Sequence, residues 1–160
     1  MAIRSVTPIN DIYRLDRPVA DTAILDPRAA DALEQGEWLL EGSTGWDRIS
    51  GTNAAARASA RNAEMVFSSR GESPTQALKQ VACFSAHEYI IETDIFDDGM
   101  TPAIGKQVVV CEISVGGVTR CGFDEAANGE VARGIVQAPL PADNDGFLRV
   151  KVVSPFTAVV

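Results

Sequence analysis

From Glu64 onward the chain is a succession of short runs rich in valine, isoleucine and aromatic residues, each closed by Gly, Pro, Asn or Asp. "AEMVFS", "QALKQVACF" and "HEYIIETD" are followed by "KQVVVCEI", "VTRCGF", "VARGIVQA", "FLRVKVV" and a closing "FTAVV". Between them stand "RGESP", "DDGMTPAIG", "SVGG", "DEAANGE" and "DNDG". Joining parallel neighbours takes a crossover of about a dozen residues or more, usually a helix, and these connectors are shorter. Antiparallel pairing is therefore expected. Short strands with turn signals about every eight to twelve residues mark a mainly-β domain built as an antiparallel β-barrel or sandwich, here from about Met65 to Val160. Alternation assigns the faces. Leu148, Val150 and Val152 point inward with Arg149 and Lys151 outward, and Thr119, Cys121 and Phe123 share a face opposite Arg120.

The preceding third is less regular. Residues 1–20, "MAIRSVTPINDIYRLDRPVA", carry Pro8 and Pro18 without a period, and proline biases its neighbour to extended backbone. They read as an extended N-terminal arm, which leaves 21–160 as a single β-rich domain with an irregular N-terminal third. "LDPRAADALEQG" has the grammar of one short helix: Asp26 to cap, Pro27 at the first helical position and Gly36 at the exit. "EWLLE" reads as a short strand and "GSTGWDRISGTN" as a loop, while "AAARASARNA" suits either a helix or a surface loop.

Charge narrows the partners. With 22 acidic against 14 basic residues the net charge is −8, and the basic residues form no run. Binding a phosphate backbone needs clustered Lys and Arg, so nucleic acid is not an expected partner. No stretch approaches the ~18 apolar residues of a membrane span, so no membrane partner is expected either. Cys83, Cys111 and Cys121 sit in apolar contexts without CxxC spacing and read as buried thiols. "MAIRSVTPIN" has no apolar core of signal-peptide length, which points to folding in a reducing cytoplasm.

The densest chemistry lies in "HEYIIETDIFDDG", which joins the sole histidine, His87, to Glu88, Glu92, Asp94, Asp97 and Asp98. On a strand, His87, Tyr89 and Ile91 share one face, and Glu88, Ile90, Glu92 and Asp94 the other. Residues two apart lie roughly 6.6–6.8 Å from each other. Like charges so placed need water, a cation or basic partners, for which Arg149, Lys151 and Arg120 are candidates. A calcium site takes about six to eight converging oxygens, and "DIFDDG" lacks the alternate spacing and terminal glutamate of a calcium loop. A small metal-assisted hydrolase using Asp94, Asp97 and His87 is the enzymatic alternative, although His87 falls on the wrong face to serve the acids. A barrel with an apolar cavity for a small ligand is a further alternative. There is no GxSxG, Walker, GxGxxG or HExxH pattern, and Trp38 and Trp46 read as core. The expectation is a non-enzyme with no catalytic, cofactor or metal residues.

The second half resembles small virion proteins of tailed bacteriophages. The likeness is carried by Thr93, Asp94, Phe96 and Asp97 ("TD-x-F-D"), then Gly105 with Val108 and Val110. Gly134 with Val136 follows, and Gly146, Leu148 and Arg149 close it. The resemblance implies a capsid decoration, or cement, protein. Such a protein binds the major capsid protein on the surface of the virion, self-associates as a dimer or trimer, and carries no catalytic residues. The "AAARASARNA" segment and the N-terminal third depart from the pattern, which keeps a phage tail or head-completion role beside the first.

Overall fold

The computed structural model describes residues 3–10, 14–20, 22–26, 28–30, 32–51, 63–66, 80–84 and 88–160. His87, the "RGESP" turn and nearly all of "AAARASARNA" lie outside the described residues. Among the described residues eleven strands follow in order: β1 (Ile3–Pro8), β2 (Arg14–Pro18), β3 (Trp38–Glu41), β4 (Trp46–Arg48), β5 (Ala63–Met65) and β6 (Gln80–Phe84), then β7 (Tyr89–Thr93), β8 (Gln107–Val115), β9 (Val118–Glu125), β10 (Val131–Val136) and β11 (Leu148–Thr157). The fold is mainly β, with antiparallel sheets packed as in a sandwich.

The main sheet has six strands in the order β1-β7-β11-β10-β8-β9. Every neighbouring pair in it is antiparallel. β8 and β9 form a hairpin whose register ends at Val115↔Val118. Its two tip residues, Gly116 and Gly117, have φ of 57° and 78°. That is the backbone a two-residue hairpin of matching twist requires, and glycine adopts it without a Cβ clash. Period-two burial holds on β7, where Tyr89, Ile91 and Thr93 are buried and Ile90 and Glu92 half-buried. It holds again in the first half of β11, with Leu148, Val150 and Val152 inside and Arg149 and Lys151 half-buried.

The inner face of this sheet packs on Trp38, Ile49, Ala63, Met65 and Phe84. Trp38 meets Phe123 edge-on, with ring centroids 5.5 Å apart, a geometry worth about 0.5–1.5 kcal/mol beyond its buried area. A separate cluster, Ile95, Val109, Cys111, Ile113, Ala126, Ala132 and Ala158, includes alternate residues of the same β8 and β10. β8 is thus buried on both sides, which explains why "VVVC" is a continuous apolar run rather than an alternating one. The remaining strands form a β2-β6 pair and a β4-β3-β5 sheet. Single bridges at Val19↔Trp46 and Val66↔Cys83 join these two around a third cluster that includes Ile24, Leu33, Leu39 and Trp46.

In the N-terminal third, the described residues of the segment read as an extended arm form strands, β1 paired with β7 and β2 with β6, and one expectation is corrected. The short helix from Asp26 to Gly36 does not form among the described residues, where 3-10 turns at Thr22–Leu25 and Pro141–Asp143 are the helical elements. Asp26 caps as expected, its carboxylate accepting the Arg28 amide at 2.9 Å. The bonds that follow are short-range turns, Ala29 N–H to the Asp26 carbonyl and Ala32 N–H to the Ala29 carbonyl, before the Leu33 amide crosses to Ile24. The segment has no apolar stripe to reward a helix, and its buried Leu33 is served by this loop.

Close approach makes one glycine irreplaceable. A Cβ on Gly122 of β9 would lie 2.5 Å from Ile95 Cγ2 and 2.6 Å from the Ile95 carbonyl oxygen. Because the second obstacle is backbone, Gly122→Ala is expected to lower unfolding free energy by about 1–3 kcal/mol, the range for overpacking. Urea melts of the two proteins check it, and an unchanged midpoint contradicts the packing described.

Candidate functional site

The acid-rich stretch is dispersed into separate tasks. Glu88 pairs with Lys151 at 3.4 Å, one of the basic partners expected from the sequence. Arg149 stands opposite Glu92 in register. The main partner of Glu92 is nevertheless Arg4 of β1, whose Nε donates to Glu92 Oε2 at 2.9 Å. Ser5 Oγ donates to the same oxygen at 3.2 Å. The Arg4 guanidinium also reaches Asp145 at 3.1 Å and Asn144 and lies 4.7 Å over the Phe147 ring. It ties the edge strand to β7 and to the loop before β11. The Arg4 hydrogen bond holds the Glu92 carboxyl below its ordinary value.

Asp97 and Asp98 bind backbone. Asp97 Oδ1 accepts the Gly99 amide at 2.8 Å and its Oδ2 the Ser114 amide at 3.2 Å. Asp98 Oδ2 accepts the Gly116 amide at 2.9 Å. In the same segment Thr93 Oγ1 accepts the Ile95 amide at 3.0 Å. The Asp97 amide donates to the Phe123 carbonyl at 2.9 Å, and Phe96 bridges Phe123. The "TDIFDDG" element therefore fastens the exit of β7 to the β8–β9 hairpin. Among the described residues no three His, Cys, Asp or Glu side chains gather as a metal site, and His87 is outside them.

Sequence reasoning missed two buried charge clusters. The first is centred on Arg133 of β10, which is fully buried. Its Nη1 donates to the Ala63 carbonyl at 2.7 Å, its guanidinium carbon lies 5.1 Å over the Trp38 ring, and its Nη2 stands 3.8 Å from Glu64 Oε2. The Tyr89 hydroxyl is buried without a hydrogen-bond partner among the described residues, and burial pushes its pKa up. Burial also raises the Glu64 carboxyl, to about 7, against the pull of Arg133. The second cluster is centred on Glu37, whose side chain is fully buried between Arg120 at 3.0 Å and Arg48 at 3.6 Å. Its Oε2 accepts the Cys121 amide at 3.2 Å. Arg120, expected to serve the acidic face of β7, is instead committed to this cluster and to Glu34 at 2.8 Å.

The cysteines are buried thiols. Burial pushes Cys121 up to about 12 and Cys83 well above its ordinary value, so both are held protonated. Trp38 and Trp46 are fully buried. On the surface, Ile104, Val159 and Val160 are exposed aliphatic side chains that share a shallow groove with Lys106, Gln107 and Glu125. The Gln107 amide clamps the Val159 backbone there, donating to its carbonyl at 2.9 Å and accepting its N–H at 3.0 Å. Searches of family models, curated proteins and solved structures find no match to this chain.

The raised Glu64 value fixes the sign of a pH effect. Between its ordinary 4.5 and the folded value of about 7, the folded protein holds a proton that the unfolded chain has released. Stability contributed by this group is therefore present below that window and lost as pH rises through it. Glu64→Gln is expected to flatten the fall in unfolding free energy between pH 5 and pH 8. Denaturant melts across that range check it, and an identical slope in the variant contradicts it.

Proposed function

We propose that this chain is a virion structural protein: a capsid decoration or cement protein that binds the major capsid protein of a tailed-phage head and stabilises the shell. The observation that carries the reading is the folded form of the resembling segment. Thr93, Phe96 and Asp97 join β7 to the β8–β9 hairpin, and Gly134 sits where its Cβ would meet Val150 and Val108. The shared residues thus act as packing and turn determinants of one sheet, as a family of structural modules would need. Asp97, one of the residues a metal-assisted hydrolase using Asp94, Asp97 and His87 would depend on, spends both carboxylate oxygens on backbone amides. The interior facing the large sheet is filled by Trp38, Met65, Phe84 and Phe123, which disfavours a ligand-holding barrel. The exposed Ile104, Val159 and Val160 supply an apolar contact surface. A dimer or trimer on the shell follows from the closed symmetry usual in such assemblies, and a tail or head-completion position is the alternative within the same class.

Purified protein mixed with undecorated heads of its own phage is expected to co-sediment with them. Ile104→Asp and Val159→Asp should weaken that binding while leaving the melt intact. Failure of the wild-type protein to bind heads by sedimentation and by cryo-microscopy overturns the proposal.

A further inference from the structure

Among the described residues the main sheet ends in two edge strands, β1 and β9, and the outer side of β9 is covered by a single backbone bridge at Phe123 and by a side chain. Its odd-numbered residues turn their amides away from β8. The Cys121 amide goes to Glu37 Oε2 at 3.2 Å and the Phe123 amide to the Ile95 carbonyl at 3.2 Å. Thr119 has the same phase on the strand and is exposed. An edge bearing such outward groups is a template for another strand unless something covers it.

What covers its middle is a side chain. The backbone of the 32–37 segment belongs to the small sheets: Gly36 N–H donates to the Val66 carbonyl at 3.0 Å and Val66 N–H to the Glu37 carbonyl at 2.8 Å. Toward β9 the segment offers Glu34 and Glu37, both gripped by Arg120, which also donates to the Ala32 carbonyl. We propose that residues 32–37 are an edge lock, in which Glu37 stands in for a neighbouring strand, and that releasing it lets β9 pair antiparallel with β9 of a second copy of this chain.

The sequence of β9 suits that partner. A two-fold axis through Thr119 places Cys121 opposite Gly117 and Arg120 opposite Val118. No like charges then face each other across the pair, and the Phe123 contacts with residues 95–97 stay in place. The two-fold relation makes the contact self-limiting, a closed dimer rather than a growing ribbon.

Sedimentation velocity over a range of concentrations reads the outcome. Arg120→Ala is expected to approach twice the wild-type sedimenting mass as concentration rises. Adding Thr119→Pro, which deletes the outward amide at the centre and leaves the β8 ladder intact, should return it to wild-type mass. Wild-type mass in Arg120→Ala, or extra mass that survives Thr119→Pro, overturns the lock. If Arg120→Ala loses its cooperative melt, Glu37→Met, which keeps the size in a buried site but removes the acceptor that stands in for a strand, is read against the same two outcomes.

Discussion

A guanidinium buried in the middle of a sheet constrains everything around it. Arg133 sits on β10 between Ala132 and Gly134, and a charge so placed is costly unless its donors find oxygen and its cation finds an anion or a ring. The groups that offset part of that cost lie on the opposing layer: the Ala63 carbonyl, which accepts from Nη1, the Glu64 carboxyl 3.8 Å from Nη2, and the face of Trp38. β3 and β5 are paired to each other through Trp38↔Met65 and Leu39↔Glu64, so satisfying Arg133 places both strands over the large sheet at once. Hydrophobic burial supplies the driving force for that packing, but it is tolerant of sliding. The buried cation is not, and it sets where the layers meet.

The acidic stretch shows how little a local excess of carboxylates says about reactivity. Four of the five acids in this stretch are divided among an ion pair from Glu88 to Lys151, a hydrogen-bonded pair from Glu92 to Arg4 and three backbone amides held by Asp97 and Asp98. All but the local turn from Asp97 to Gly99 join different elements of the chain. The stretch is a fastening between β7, the edge strand β1 and the β8–β9 hairpin.

The strands and their faces were legible because their signal is local. Period two on "YIIET" and "LRVKV" places Tyr89, Ile91, Leu148, Val150 and Val152 inside without knowledge of any partner. "LDPRAADALEQG" misled because its capping residues are equally good turn residues; Asp26 closes on Arg28 without a helix behind it. The buried charges were hidden for a different reason. Arg133 is 69 residues from Glu64, and Arg120 is 83 from Glu37, so nothing local distinguishes them from solvated charges. A faint signal existed in "VARGIV", where one charge interrupts a small, apolar run flanked by Gly134, in a strand with no polar alternation to place it outside. Arg4 was overlooked because the first residues read as an arm, and its partner Glu92 was assigned to other cations.

Whether Arg133 and Glu64 act as one unit across the layers is tested directly by a double-mutant cycle. Unfolding free energies of the wild type, Arg133→Met, Glu64→Leu and the double variant would be measured at pH 8. Removing Arg133 alone strands a buried carboxyl and should cost about 3–5 kcal/mol, while the double variant should recover much of that loss. Additive costs in the two single variants would contradict the coupling, and with it the role assigned to the buried cation.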